Sequence, residues 1–327
     1  MAAPRSRSVA ESTLAQRMFN RLKLRHLLVL LAIQEHRSLT RVAHHLATSQ
    51  PAVTQLLAEL ESLFGGALFL RSTRGMEPTP LGQLVLARAR TMLSDIDHWA
   101  QDLEARSQGR AAHLHVGVIP FLPGRLLAEA INRARPEGRR MTVSLHEDTS
   151  DHLLERLRIH ELDCVVGRTS AILDMRGLRH EVLYQQEPRL IAHRRLAVRL
   201  SRKPLQWSEL TELDWVLGAR HTPMREQITD FFLRAGVAPP PPFVESLSSK
   251  VIGELVAANE KAVSIVPADV AEELARIAGV GVVRHRFGWT LPPITLFQRI
   301  GGAQYEEQDL LARSLKQVAI EISRAAQ

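Results

Sequence analysis

The stretch Ser38-Leu39-Thr40-Arg41-Val42-Ala43-His44-His45-Leu46-Ala47-Thr48-Ser49-Gln50-Pro51-Ala52-Val53-Thr54-Gln55 decides how the first third of the chain folds. Ser38 is placed to cap a short helix expected over residues 40–47, in which Val42, Ala43 and Leu46 point one way. Ala47-Thr48 makes a tight corner, and Ser49 caps a second helix with Pro51 in its first turn, where a missing N–H costs nothing. That helix has a core face of Val53, Leu56, Leu57, Leu60 and Phe64 and stops at Gly65-Gly66. Two short helices joined by a tight corner, the second carrying Gln50, Thr54 and Gln55 opposite its apolar face, form a helix-turn-helix pattern. Amides and hydroxyls at the start of the second helix suit major-groove recognition: glutamine bidentate to adenine, a hydroxyl to several base edges, Pro51 against a thymine methyl. The same residues also suit a small three-helix bundle with an ordinary polar face, and alone they leave both open.

Upstream, Leu24, Leu27, Leu28 and Leu31 fall at helical spacing, giving a helix over residues 23–36 with those leucines on its core face. Residues 1–22 carry Arg5, Arg7, Arg17 and Arg21 without an apolar stretch of signal-peptide length, and are expected to be a loose arm. Downstream, residues 68–79 have the pattern of a short β-ribbon with a basic Arg74-Gly75 tip, a wing whose arginine suits a minor groove while Arg71 suits phosphates. Thr79-Pro80 then starts a long helix to about residue 107. Val85, Met92 and Trp99 recur every seven residues beside Ala89, Ile96 and Leu103, the spacing of a dimerising seam. Packing of that helix on its own domain is the alternative, but on the order of 40 Å of helix is hard to cover from within one chain.

These residues resemble the LysR-type transcriptional regulators over about residues 23–108. The match runs through Leu24–Leu31, Ser38-Leu39-Thr40-Arg41-Val42-Ala43, Ser49-Gln50-Pro51-Ala52-Val53-Thr54, Leu60-Glu61, Leu68-Phe69-x-Arg71, Arg74-Gly75 and Thr79-x-x-Gly82, in register. The resemblance implies a winged helix-turn-helix that binds double-stranded DNA through Ser38, Thr40, Arg41, Ser49, Gln50, Pro51, Thr54, Gln55, Arg71 and Arg74. At Gln55 the family often has an arginine, so a charge-assisted contact is missing there.

Composition agrees with a basic head on a near-neutral body. The 327 residues include 42 Lys and Arg against 35 Asp and Glu, net +7. Residues 1–111 hold 14 of the cations and 9 of the anions, so most of the excess lies in the first third, as a polyanion-binding module would have it. The single cysteine, Cys164, excludes an intrachain disulfide and a multi-cysteine zinc site, and fits a reducing compartment; the expected location is cytoplasmic. The apolar run near the start is far short of the roughly 20 residues that span a bilayer, so no membrane association is expected.

After residue 112 the period changes to alternating strands and helices, which implies parallel βαβ units. Strands are expected over 114–119, 141–146 and 162–167, then near 189–193, 215–217, 243–246, 262–266, 282–287 and 294–299. Helices fall between them at 123–134, 151–160, 223–235, 249–259 and 268–277, with a last one near 306–322. This part resembles the family's effector domain, similar to a type 2 periplasmic binding protein, through Leu114-His115-Val116-Gly117-Val118, Leu153–Leu157 before Glu161-Leu162-Asp163, and Leu255-Val256-Ala257-Ala258 followed by Val263-Ser264-Ile265-Val266-Pro267. In place of the family's glycines between the last two stretches stands Asn259-Glu260-Lys261, with asparagine supplying a left-handed turn. The fold class is therefore α/β, with a winged helix-turn-helix at 23–79, a dimerising linker helix at 80–108, a hinge at 109–112, and an effector domain of lobe I (113–187 and 293–327) and lobe II (188–292).

In open α/β sheets ligands bind beyond the carboxyl ends of strands. That rule selects Ile119, Pro120, Phe121, Thr149, Ser150, Arg168 and Thr169 in lobe I, and His221, Thr222, Arg225, Ser246, Ser248 and Pro267 in lobe II. Hydroxyls and an arginine at helix N-termini suit an anion, so a small carboxylate effector is expected, with Phe121 as apolar surface. Against it stands the reading in which Arg168 pairs with an acidic surface residue and the hydroxyls only cap helices. His44-His45 and His113-x-His115 lack a metal-ligand set and are expected to be solvated. Cys164 is expected to be an inert core thiol, and Gly279-x-Gly281 a turn. With no catalytic constellation and no cofactor motif, the expectation is a regulator rather than an enzyme. It would act as a homodimer through the linker helix, assembling to a homotetramer, with a small-molecule effector and RNA polymerase as further partners. A two-lobed binding protein or enzyme would explain only the body, and a ligand-independent architectural DNA-binding protein only the head.

Overall fold

A computed structural model describes residues 13–135, 140–169, 174–220, 222–301 and 306–325. Arg5, Arg7 and His221 lie outside them. The chain divides into two compact units, Met1–Ala100 and Gln101–Gln327.

The first unit contains α1 (Thr13–Arg21), α2 (Leu24–His36), α3 (Leu39–His45), α4 (Gln50–Phe64), the antiparallel ribbon β1 (Phe69–Ser72) and β2 (Gly75–Pro78), and most of α5 (Pro80–Ser107). Three expectations need correction here. The supposed loose arm is helical over Thr13–Arg21, because Ala15, Met18 and Leu22 make a half-buried stripe at helical spacing, and α1 packs on α4. On α2 the core face is Leu27, Leu30 and Ile33 with Val29, while Leu24 and Leu28 are 47% and 52% exposed. This helix is apolar nearly all round, so spacing alone fits more than one face. On α5, Val85, Leu86 and Ala89 are buried; Val85 and Leu86 belong to the head's own core, so the expected seam loses its first heptad.

The second unit starts with the end of α5 and continues through β3 (Arg110–Val118), α6 (Gly124–Arg133), β4 (Arg140–Glu147), α7 (Ser150–Arg158), β5 (Cys164–Arg168), β6 (Leu178–Tyr184), β7 (Pro188–Ala192), α8 (Arg194–Leu200), α9 (Trp207–Leu210), β8 (Asp214–Leu217), α10 (Pro223–Arg234), β9 (Pro242–Glu245), α11 (Ser249–Ala258), β10 (Ala262–Pro267), α12 (Ala268–Ile277), β11 (Gly281–Val282), β12 (Ile294–Arg299) and α13 (Glu306–Ala325). Two five-stranded sheets result, in the orders β4-β3-β5-β12-β6 and β11-β7-β10-β8-β9. The βαβ strands pair in parallel, β3 with β4 and β5, and β8 with β9 and β10. The strands beside the two chain crossings, β12 and β7, pair antiparallel with β5 and β10. The crossings run side by side: the Leu291 amide donates to the Gln186 carbonyl at 3.0 Å. Each sheet has its own apolar core, and Phe121, from the loop after β3, is buried in the core of the other sheet.

β6, α8 and α9 have no counterpart in the expected element list, and the strand expected at 282–287 shrinks to Gly281–Val282. Residues 110–112 of the expected hinge are already strand; the bend there is Gly109, at φ +69°. Asn259 is extended, φ −114°, rather than left-handed. It builds its turn with the side chain, accepting from the Lys261 amide at 2.9 Å and donating to Asp214 Oδ2 at 2.9 Å. Cys164 is buried, and burial pushes its thiol up to about 12.

His113 and His115 are not solvated either. With His146 of β4 they form a stacked cluster against the last turns of α5. Arg156 only donates, so His146 Nδ1 accepts from it at 3.3 Å, and the Nε2–H of His146 then faces His115 Nδ1 at 3.1 Å. His115 Nε2 donates in turn to Gln101 Oε1 at 2.6 Å. The chain of donors runs one way only when both imidazoles are neutral.

Candidate functional site

Two sites emerge, one in each unit. In the head, Ser38 and Ser49 cap α3 and α4: their hydroxyl oxygens accept from the Arg41 amide at 3.5 Å and the Ala52 amide at 3.3 Å. The corner between these helices needs a left-handed residue, Ala47 at φ +50°, and closes through Thr48 N–H to the Ala43 carbonyl at 2.8 Å. Gln50, Pro51 and Gln55 are exposed on α4, and Thr40 and Arg41 on α3.

The half-buried Thr54 is tied to Gln50 twice. Gln50 Nε2 donates to the Thr54 hydroxyl at 3.1 Å, and that hydroxyl donates to the Gln50 carbonyl at 3.0 Å. Gln50 keeps one amide N–H and its Oε1, the donor and acceptor that adenine requires, on a side chain already fixed by its neighbour. Gln55 instead donates to Glu59 Oε1 at 3.0 Å.

Arg71 on β1 and Arg74 in the turn before β2 are both exposed. The turn is held locally, the Arg74 amide donating to Ser72 Oγ at 3.1 Å. Its anchor to the head is the Met76 amide, which donates to the Arg37 carbonyl at 2.9 Å. Only glycine fits at position 75, at φ +104°, since a Cβ there would stand 2.4 Å from that carbonyl. Glu61 fastens the base of the wing: its Oε1 accepts from the Leu68 amide at 2.8 Å and the Phe69 amide at 3.4 Å. The resemblance marked Glu61 as part of a pattern without revealing this role.

In the second unit, Ile119, Pro120, Phe121, Thr149, Ser150, Arg168 and Thr222 line one cavity between the two sheets. Pro223, Met224 and Leu247 complete the lining and escaped the sequence reading, being apolar residues at a helix start and in a loop. The cavity measures about 40 Å³. That is far below the roughly 300–1,000 Å³ of a small-molecule site. Phe121 holds φ +67°, an uncommon conformation for a bulky residue. Thr169, Arg225, Ser246, Ser248 and Pro267 do not line this cavity. Ser248 caps α11 by accepting from the Val251 amide at 3.3 Å, the Ser246 hydroxyl oxygen accepts from the Ser248 amide at 3.1 Å, and Pro267 ends β10 in the core.

Arg168 is 4% exposed and, among the described residues, pairs with no surface carboxylate. Its backbone N–H donates to Ser150 Oγ at 3.1 Å, and its guanidinium donates to the Pro292 carbonyl and to Gln186 Oε1, both on the crossings between sheets. Gln186 passes the contact on, donating to Asp269 at 2.8 and 2.6 Å, and the Tyr184 hydroxyl donates to Asp269 at 3.3 Å. Burial lowers Arg168 to about 10, raises Tyr184, and raises Asp269 against the pull of the Gln186 hydrogen bond. Arg168 remains cationic at neutral pH. Gln186 and Asp269 carry no sequence motif.

Among the described residues no helix is long and apolar enough to cross a membrane, and no group of side chains is arranged to hold a metal ion.

Residues 24–83 match the family described as bacterial regulatory helix-turn-helix protein, lysR family, and residues 107–295 match the LysR substrate binding domain. Similar curated proteins include the HTH-type transcriptional regulator GalR of Pseudomonas putida, 30% identical over 91% of this chain and 74% of its own, and GbpR of Azospirillum brasilense, 28% identical over 85% and 81%. Among solved structures, full-length CbnR, a LysR family transcriptional regulator, superposes with a TM-score of 0.63 at 22% identity, covering 91% of this chain and 99% of that one. CbnR complexed with its target DNA gives the same TM-score at 24% identity, covering 90% and 99%. A DNA-binding head and an effector-binding domain, each matched in turn, make the chain a transcriptional regulator and not an enzyme: it belongs to the LysR family.

Proposed function

We propose that a small carboxylate, bound between the two sheets of the second unit, controls this regulator's reading of a specific DNA site. The observation that carries the effector is Arg168. It is a buried cation on the cavity wall whose guanidinium, among the described residues, donates only to neutral acceptors, leaving three of its five N–H groups without a described protein acceptor. Beside it lies the first turn of α7, whose N-cap Thr149 makes no side-chain cap and whose backbone N–H groups at residues 151 and 152 already donate to the Asp151 carboxylate. Access requires the sheets to part, and parting them disturbs the Arg168–Gln186–Asp269 contacts.

The head, residues 23–79, reads bases through Gln50, with Pro51 beside it and Thr54 as its support; Arg41, Arg71 and Arg74 supply charge to the backbone and minor groove. Ser38 and Ser49 add helix-end amides, and Thr40 and Gln55 polar surface. The exposed Met92, Trp99 and Leu103 of α5 support a homodimer seam beginning one heptad later than the sequence spacing suggests. Dimers would face a dyad-related DNA site. Tetramer formation, contact with RNA polymerase and a cytoplasmic location complete the proposal.

The test is thermal shift of the full-length protein across a panel of small carboxylates, with Arg168→Met and Arg168→Lys alongside. A carboxylate at 100 times its dissociation constant should stabilise the wild type by about 2.7 kcal/mol. The methionine variant should lose that gain and the lysine variant should keep part of it. No response from the wild type, or an undiminished response in Arg168→Met, contradicts the assignment.

A further inference from the structure

Beside α4 lies a groove of about 700 Å³ to which three helices contribute: Asn20 and Arg21 at the end of α1, Lys23 and Arg25 at the start of α2, and Gln55 and Glu59 of α4. Arg21, Lys23 and Arg25 are all exposed, and none makes an ion pair with a described residue. Among the described residues Glu59 is the one acidic side chain on the wall, and its carboxylate is engaged by Gln55. The groove therefore carries a net positive charge. His26, at its floor, is held below the usual histidine value first by burial and then by Arg25 and Lys23.

α1 and Lys23 lie ahead of the family match, which begins at residue 24. At this level α4 presents the neutral Gln55. Gln55 stands about 7.5 Å along the axis beyond Gln50, at 1.5 Å per residue. The major groove of DNA is about 8.5 Å deep. A helix entering by its first turn thus carries Gln55, and the basic groove beside it, to the rim where the phosphates run.

We propose that Arg21, Lys23 and Arg25 form a phosphate-binding groove that holds the DNA backbone at that rim, supplying from α1 and α2 the positive charge that α4 lacks at Gln55. The proposal rests on the reading that α4 enters DNA through Gln50. Its ligand is the phosphodiester backbone, so its contribution is independent of sequence and sensitive to salt.

The test compares full-length wild type, the triple variant Arg21→Gln/Lys23→Gln/Arg25→Gln, the single variant Lys23→Gln and Gln50→Ala. Each is titrated with the wild type's selected DNA site and with random duplex over a range of salt concentrations. Removing one phosphate-neutralising cation should reduce the slope of log K against log salt by about 0.9, so the slope should fall by about 2 to 3 in the triple variant and by about 1 in the single variant. Affinity for selected and random DNA should fall alike in both, with preference retained. An unchanged slope in folded triple and single variants overturns the groove while leaving base reading intact. Loss of preference in the triple variant at an unchanged slope means those residues read bases, which also overturns it. Failure of Gln50→Ala to reduce preference counts against base reading alone, a separate result.

Discussion

Gly82→Ala should destabilise the head, although the substitution would ordinarily strengthen a helix. Position 82 lies in the first turn of α5, where alanine in place of glycine favours a helix interior by about 1 kcal/mol. A Cβ built there stands 2.0 Å from the Leu68 carbonyl oxygen and 3.0 Å from its carbon. No rotamer relieves contact with backbone. The same carbonyl accepts from the Thr79 amide at 2.9 Å, and Thr79 Oγ1 both donates to the Ala67 carbonyl at 2.7 Å and accepts from the Gly82 amide at 2.9 Å. Separating α5 from Leu68 therefore loosens this knot of hydrogen bonds. Breaking one bond of about 1 kcal/mol plus overpacking strain of about 1–3 kcal/mol outweighs the propensity gain, for a net loss of about 1–3 kcal/mol. Leu68 leads directly into β1, so the wing should shift as well, and DNA affinity should fall more than stability alone requires. Urea unfolding of the full-length protein followed by DNA titration measures both. A gain in stability near 1 kcal/mol would refute the close approach of α5 to Leu68.

Thr54→Val should keep the fold and reduce base preference less than Gln50→Ala, by about 0.5–1.5 kcal/mol for the missing hydrogen bond; competition between the selected site and random duplex measures it, and an unchanged preference counts against the support role. His26, His146 and His285 are each lowered from 6.5, first by burial, so the unfolded chain takes up their protons before the folded one. Stability should then be complete above about pH 6.5 and decline as pH falls below it, and a urea midpoint that is level or rising from pH 7.5 to 5.5 contradicts this. Native Cys164 should resist thiol reagents at pH 8 and react only on unfolding, as its raised thiol value requires; rapid labelling of the folded chain would place the side chain outside the core.

The head was legible because its signals are local. Ser49 before Gln50-Pro51, Gly65 at φ +82° and Thr79 before Pro80 mark helix ends through short-range hydrogen bonding and backbone geometry. The face of α2 was not, since an almost wholly apolar helix takes its orientation from its neighbours. β6 escaped because it is an edge strand, with Arg179, His180 and Glu181 exposed in succession, and so lacks the alternation of a half-buried strand. α8 spans only Arg194–Leu200, too short for its buried Leu196, Ala197 and Leu200 to establish a period. For the cleft, the strand-end rule found seven of the lining residues, because it follows from how parallel strands are connected. Gln186 meets Arg168, and Asp269 meets Gln186, only through tertiary folding, from a crossing and from a helix of the other sheet, and no spacing along the chain encodes those meetings.

The most direct test of the central claim is to sequence the DNA retained by the full-length protein from a random duplex pool at physiological salt. Enrichment of one motif with two dyad-related halves, abolished for Gln50→Ala, is the predicted result. Retention of DNA without any enriched sequence would contradict sequence-specific reading by the head.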